Sequence, residues 1–321
     1  MPEGNEIHRW AERHEAAFGG RPVRVDGPQG KFTDSDVIDG RKLQRVRAVG
    51  KHLGYDFGKD RILHIHMGLR GDFTEGSGAL PEVRGALRLR MWNAAAVKNG
   101  EAAPDGNNGT MRRARYSDDD GSAQLQPDKL AWVELRGPTD CSIYSEAKWQ
   151  QLLERLGPDP LDEENDGEET QRLVARIGKS KKPMAALLMD QSVIAGLGNI
   201  YRAELLYRAR LNPFVAGKDV PAKTIRAIWK DAGTLMRSGM VDRRIVTTRP
   251  EDRPSHASGA ASEEGRSHSG KAAKRVVAKD EVHYVYKRNG LPCFVCGTKV
   301  MRKELEGRNL YWCPVCQAEE Q

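Results

Sequence analysis

Long apolar runs are missing from this chain of 321 residues. No stretch approaches the ~20 consecutive apolar residues of a membrane-spanning helix, so no membrane association is expected. A secretory leader is not expected either, because the amino terminus is charged rather than apolar. Cysteine is scarce, at five residues. Four of them sit in two CxxC units near the carboxyl end and Cys141 stands alone, which is not the layout of a disulfide framework. A cytoplasmic protein fits these absences. Large apolar side chains are nearly lacking over residues 249–280, so that stretch is expected to be a flexible tether. A surplus of acid is also lacking: 52 Lys and Arg face 45 Asp and Glu, a formal charge of +7. That balance favours a polyanion as partner.

The first segment with a clear pattern starts at MPEGNEIHRW. Ile7, Trp10, Ala11, His14, Ala17 and Phe18 follow the spacing of one buried helical stripe, with Glu6, Arg9, Glu12 and Arg13 expected on the wet side. Pro2 and Glu3 suit a helix start on ordinary grounds, since proline loses no hydrogen bond there and acid complements the positive helix end. The segments RPVRV, KHLGYDF, ILHIHMGL, ALRLRMW and LAWVELR then alternate with period two, and GKD at residues 58 to 60 reads as a hairpin turn. Short strands with glycine-rich connections indicate a β-sandwich or barrel. A polar stretch from Asn93 to Pro127 is expected to be an exposed insertion. From Ser145 the period becomes helical, with one stripe at Trp149, Leu152, Leu153 and Leu156 and another from Ile225 to Met236 after Pro221. The acidic DEENDGEE between them reads as a solvated loop.

Two local signals carry chemistry. Cys293 and Cys296 are separated from Cys313 and Cys316 by a hairpin-length spacer, and four thiolates in two knuckles are the donor set of one structural Zn²⁺. A closed four-sulfur site leaves no open position for water, so this metal builds structure. Arg308 lies on the intervening hairpin, as a phosphate-gripping guanidinium or merely a solvated turn residue. The second signal is GLGNIYRAELL, where glycines run into Asn199, expected as the N-cap of an amphipathic helix whose N–H groups suit a phosphate.

Taken together, MPEG, VGKHL, GLGNIYRAELL and GRNLYWCPVCQ resemble the Fpg/Nei family of bifunctional DNA glycosylase/AP lyases, in the same order along the chain. The resemblance implies an α+β multidomain fold: an N-terminal helix plus antiparallel β-sandwich (residues 1–144), a helix-two-turn-helix domain (145–248), the tether (249–280) and a zinc finger (281–321). It implies that Pro2, exposed by methionine removal, is the amine nucleophile and that Glu3 is the acid/base beside it, with Glu6 in support. Lys51 and Arg308 are implied to flank the attacked sugar and assist β- and δ-elimination, Asn199 to hold a phosphate, and Leu69 with Arg70 to fill the gap left by an everted base. The implied partner is damaged double-stranded DNA, met by a monomer. Asn5 departs from the family's usual proline. The glycine after Pro-Glu is more similar to the Nei branch, and the tether offers no aromatic lid for a purine, so oxidised pyrimidines are expected to be favoured. An 8-oxoguanine-preferring glycosylase, an enzyme restricted to abasic sites, and a non-catalytic zinc-finger sensor of damage or strand ends are the competing readings.

Overall fold

The computed structural model describes residues 2–93, 130–162, 167–257 and 277–318. The Asn93 to Pro127 insertion beyond its first residue, the middle of the acidic DEENDGEE run and the middle of the tether lie outside the described residues. The chain divides into two compact units, Met1–Leu156 and Gly157–Gln321. No helix among the described residues is long and apolar enough to cross a membrane.

The first unit begins with α1 (Gly4–Phe18), whose stripe of Ile7, Trp10, Ala11, His14, Ala17 and Phe18 is buried as the periodicity requires. Arg9 and Arg13 correct the expected wet face. Both are buried, because Arg9 pairs with Glu6 one turn away and Arg13 with Glu75 at 2.7 Å. Among the described residues, the short helix α2 (Ser35–Ile38) and nine strands in two antiparallel sheets follow. One has the order β2-β1-β7-β8-β6, built from β1 (Pro22–Asp26), β2 (Arg41–Lys42), β6 (Asp72–Gly76), β7 (Leu87–Trp92) and β8 (Trp132–Arg136). The other has the order β3-β4-β5-β9, from β3 (Arg45–Val49), β4 (His52–Asp56), β5 (Ile62–His66) and β9 (Asp140–Tyr144). Apolar residues at alternate positions, such as Leu53, Tyr55, Leu63, Ile65, Phe73, Leu89, Val133 and Leu135, share one core with α1. The opposite face of the second sheet is polar.

The helix α3 (Glu146–Leu153) lies in this unit. Its Trp149 is fully buried over Gly54, where an added Cβ would lie 2.7 Å from the indole, and the Arg47 guanidinium stacks 5.2 Å from the same ring. Ser145 caps the helix by accepting from the Lys148 N–H at 3.1 Å.

The second unit holds α4 (Gly167–Ile177), α5 (Met184–Leu187), α6 (Asn199–Arg208) and α7 (Ala222–Asp242), followed by the hairpin β10 (Met301–Leu305) and β11 (Arg308–Trp312). α7 starts behind Pro221, and Ile225, Ile228, Ala232, Leu235 and Met236 supply its buried stripe. The expected tether is ordered at both ends. Residues 249–257 form a 3-10 turn and α8 (Pro254–Ala257), and Lys279–Glu281 form another 3-10 turn. Polar side chains stand in for the missing apolar ones: the Arg249 N–H donates to the Tyr284 hydroxyl at 2.8 Å and the Ser255 N–H to the Glu281 carboxylate at 2.7 Å.

Candidate active site and metal centre

Glu3, the N-cap of α1, has extended backbone, and its carbonyl accepts from the N–H groups of Glu6 at 3.0 Å and Ile7 at 3.3 Å. Glu3 is 2% exposed and Asn5 1%, so the residues next to Pro2 are buried rather than solvated. Asn5 Oδ1 has no hydrogen-bond partner among the described residues. Glu6 is held by Arg9 rather than lying free on the helix surface. Behind this tip lies a charged cluster that the sequence did not reveal. Burial would push up the Glu75 carboxyl, but the hydrogen bond from His14 and the Arg13 guanidinium hold it at about 2. Asp72 goes the other way: burial and the neighbouring Glu6 charge raise it to about 7.

Lys51 sits in the two-residue turn Gly50-Lys51 between β3 and β4 rather than at the head of the strand, with Gly50 at φ +58° as the first turn position prefers. Leu69 and Arg70 lie in the β5–β6 connection, where both are exposed, Leu69 to 58%. Leu69 is therefore not the last core residue of its strand. Beside Lys51, His52, His64 and His66 crowd the polar face of the second sheet, a grouping sequence reasoning missed although HIH in β5 carries the alternation that sets two of them on one face.

In the second unit Gly198, not Asn199, occupies the N-cap of α6, and Asn199 is its first helical residue. The expected cap is corrected because the Asn199 side chain is engaged elsewhere: Nδ2 donates to the Asn309 carbonyl at 2.9 Å while Oδ1 accepts from Arg202. Arg202 also donates to Asn309 at 3.2 Å, tying the start of α6 to β11. Arg308 begins β11 directly after the Glu306-Gly307 turn, in which both residues take positive φ as a tight twisted hairpin demands. It lines a cleft with Met189, Asp190, Arg202 and Glu306.

The sulfurs of Cys293, Cys296, Cys313 and Cys316 all lie within 4.8 Å of one another. Cys296 and Cys313 are 3.4 Å apart and Cys293 and Cys316 3.8 Å, too far for disulfides. Tetrahedral Zn–S bonds of ~2.3 Å have an edge of about 3.8 Å, so the donor set fits zinc. The Tyr207 hydroxyl lies 3.1 Å from the Cys293 sulfur, and Tyr284, Val285, Val300 and Tyr311 pack around the knuckles.

The chain belongs to the Fpg/Nei family of DNA glycosylase/AP lyases, as its similarity to known proteins along its whole length shows. Residues 1–101 match the formamidopyrimidine-DNA glycosylase N-terminal domain and residues 156–250 its H2TH domain. The chain is 38% identical to Endonuclease 8 1 of Mycobacterium tuberculosis over 99% of its own length and all of that protein. To Endonuclease 8 of Escherichia coli it is 28% identical over the same shares. Among solved structures, the MutM (Fpg) protein of Thermus thermophilus is similar in fold, with a TM-score of 0.65 at 22% identity over the whole of both chains. Lactococcus lactis Fpg, crystallised with DNA containing Fapy-dG, has a TM-score of 0.67 at 18% identity, over 99% of this chain and all of that one.

Proposed function

We propose that the protein excises oxidised bases from duplex DNA and then cleaves the strand, working as a cytoplasmic monomer with Pro2 as nucleophile. The observation that supports this most is the Pro2-Glu3 pair, directly ahead of α1, in a chain similar along its whole length to Endonuclease 8. Removal of Met1 exposes a secondary amine whose pKa, near ~8 for an α-amino group, leaves a neutral fraction at physiological pH. That amine attacks the sugar C1′, the C1′–N bond to the damaged base breaks, and an iminium remains. Glu3 protonates the ring oxygen as the sugar opens and carries protons afterwards. β-Elimination then breaks the C3′–O bond and δ-elimination the C5′–O bond, leaving phosphate at both ends of the gap. Lys51 and Arg308 serve these eliminations as phosphate-side cations, Asn199 holds a phosphate, and Leu69 with Arg70 fills the vacated stack.

Zinc is the metal the four cysteines would hold, and it supplies rigidity to the hairpin that carries Arg308. The base preference follows from extrusion cost: thymine glycol and dihydrouracil have lost ring aromaticity and stack poorly, whereas 8-oxoguanine stays planar. Borohydride trapping on duplexes bearing an abasic site, thymine glycol or 8-oxoguanine tests the nucleophile and the preference together. The expected adduct joins DNA to the mature amino terminus, with faster single-turnover excision of the saturated pyrimidines. Binding without any adduct would favour the non-catalytic sensor, and 8-oxoguanine opposite cytosine as best substrate would overturn the preference.

A further inference from the structure

Residues four apart along a helix share a face, and on one face of α6 Asn199, Ala203 and Tyr207 all meet the zinc-finger segment. At the start of the helix Asn199 Nδ2 donates to the Asn309 carbonyl of β11. In the middle Ala203 packs in one core with Val285, Val300 and Tyr311. Near the end the Tyr207 hydroxyl lies 3.1 Å from the Cys293 sulfur and 4.0 Å from the Cys316 sulfur, so it reaches two sulfurs that are themselves 3.8 Å apart. The Tyr207 ring is buried and stacked on Tyr284, with 4.6 Å between centroids, and the Arg210 guanidinium lies 4.9 Å from the same ring. Tyr284 is pinned in turn: its hydroxyl donates to the Asp252 carboxylate and accepts from the Arg249 N–H at 2.8 Å.

The direction of the Tyr207 contact follows from the donor set. A cysteine that ligates zinc is a thiolate and has no hydrogen to give, whereas a phenol, with an ordinary pKa near ~10, keeps its hydrogen at neutral pH. The Tyr207 hydroxyl is therefore the donor and the Cys293 sulfur the acceptor. Four thiolates around one divalent ion leave two excess negative charges, and buried charge is costly unless it is hydrogen-bonded. The two buried sulfurs both have a donor from the protein. Cys313 takes the Cys316 N–H at 3.4 Å, from its own knuckle. Cys293 takes the Tyr207 hydroxyl, from a helix 86 positions away. Cys296 is exposed, and water can serve it.

We infer that Tyr207 is an outer-shell donor to the metal centre: from α6 its hydroxyl draws charge off the Cys293 thiolate, relieves the repulsion among the four sulfurs and raises the affinity of the site for its ion. The inference rests on the reading of the four cysteines as a zinc site. A ring that served packing alone would need no hydroxyl, because phenylalanine fills the same space against Tyr284. With Asn199 at one end and Tyr207 at the other, α6 is fastened to the finger at both ends, and the second fastening is to the metal ligands themselves.

The test loads the full chain with cobalt(II) in place of zinc, because the sulfur-to-cobalt charge-transfer absorption reports the electron density on the thiolates. In Tyr207→Phe, which keeps the stacked ring, the sulfur that has lost its donor is richer in electrons. The band should move to longer wavelength, and cobalt and zinc affinities, measured by competition with a chromogenic chelator, should fall about tenfold. Tyr284→Phe is the control, since the hydroxyl it removes serves Asp252 and the Arg249 N–H and no sulfur; its charge-transfer band should coincide with that of the wild type. Coincident bands in wild type and Tyr207→Phe, or an equal shift in Tyr284→Phe, overturn the donor role and leave the zinc site standing. A wild-type chain that takes up no cobalt overturns the zinc site and the donor role together.

Discussion

At the scale of single residues, the charges behind Pro2 set up opposite responses to pH. Asp72 has a folded-state pKa of about 7, raised first by burial and then by Glu6. A carboxyl raised in this way binds its proton more tightly in the native state, so it destabilises the fold increasingly as pH climbs from about 4 past 7. Asp72→Asn should therefore stabilise the protein at pH 8 by about 1–3 kcal/mol in urea titrations, with the gain vanishing below about pH 4. A variant less stable than wild type at pH 8 would show that the carboxylate is compensated after all. Glu75 has the reverse sign: held at about 2, its contribution is complete above the ordinary carboxylate range and is lost as pH falls through that range towards about 2. Glu75→Gln should accordingly flatten the acid limb of the stability curve between about pH 5 and 3, read by the same titrations. None of this was legible in the sequence. Arg9 and Arg13 follow the polar positions of an amphipathic helix, and only the partners Glu6 and Glu75, the latter 62 residues from Arg13, turn them inward.

Among elements, legibility followed locality. The stripe of α1, the longer strands and the two CxxC knuckles announce themselves within a few residues, and the structure has them where the pattern put them. The strands RVRAV, DFTEG and DCSIY carry only one or two apolar residues each toward the core, a signal too short to stand out in the sequence, and cross-strand partners make them strands. The N-cap of α6 was misplaced by one residue because a glycine, with no side chain to signal a cap, holds that position. The hydrogen bonds of His64 with His52 and with Asp140 join residues 12 and 76 positions apart, beyond any local pattern. Further along α6, the fully buried Glu204 carboxylate accepts from the N–H groups of Tyr284, Val285 and Tyr286 at 2.8, 2.9 and 2.8 Å and from the Thr247 hydroxyl. Glu204→Gln would turn one acceptor oxygen into a donor facing backbone donors. It should cost about 2–4 kcal/mol and speed hydrogen exchange at residues 284–286 before it affects α7.

For the molecule as a whole, the division into two units separates what metal removal can and cannot reach. Chelation should disorder the hairpin with Arg308 and abolish strand cleavage, yet leave the circular dichroism of the β-sandwich intact. Full cleavage by metal-free protein would break the link between the knuckles and catalysis. Within the sandwich, β7 and β8 pair antiparallel as far as Trp92 opposite Trp132, so a single hairpin spans the whole of residues 93–131. Closing a loop costs entropy only logarithmically in its length, about 0.6 kcal/mol for each doubling. The hairpin is thus nearly indifferent to how much chain it encloses. A fluorescent reporter spliced between residues 108 and 109 should leave the melting temperature within a few degrees of wild type, which makes this stretch a port through which the protein can be labelled, tethered or followed on single DNA molecules with its amino terminus left untouched.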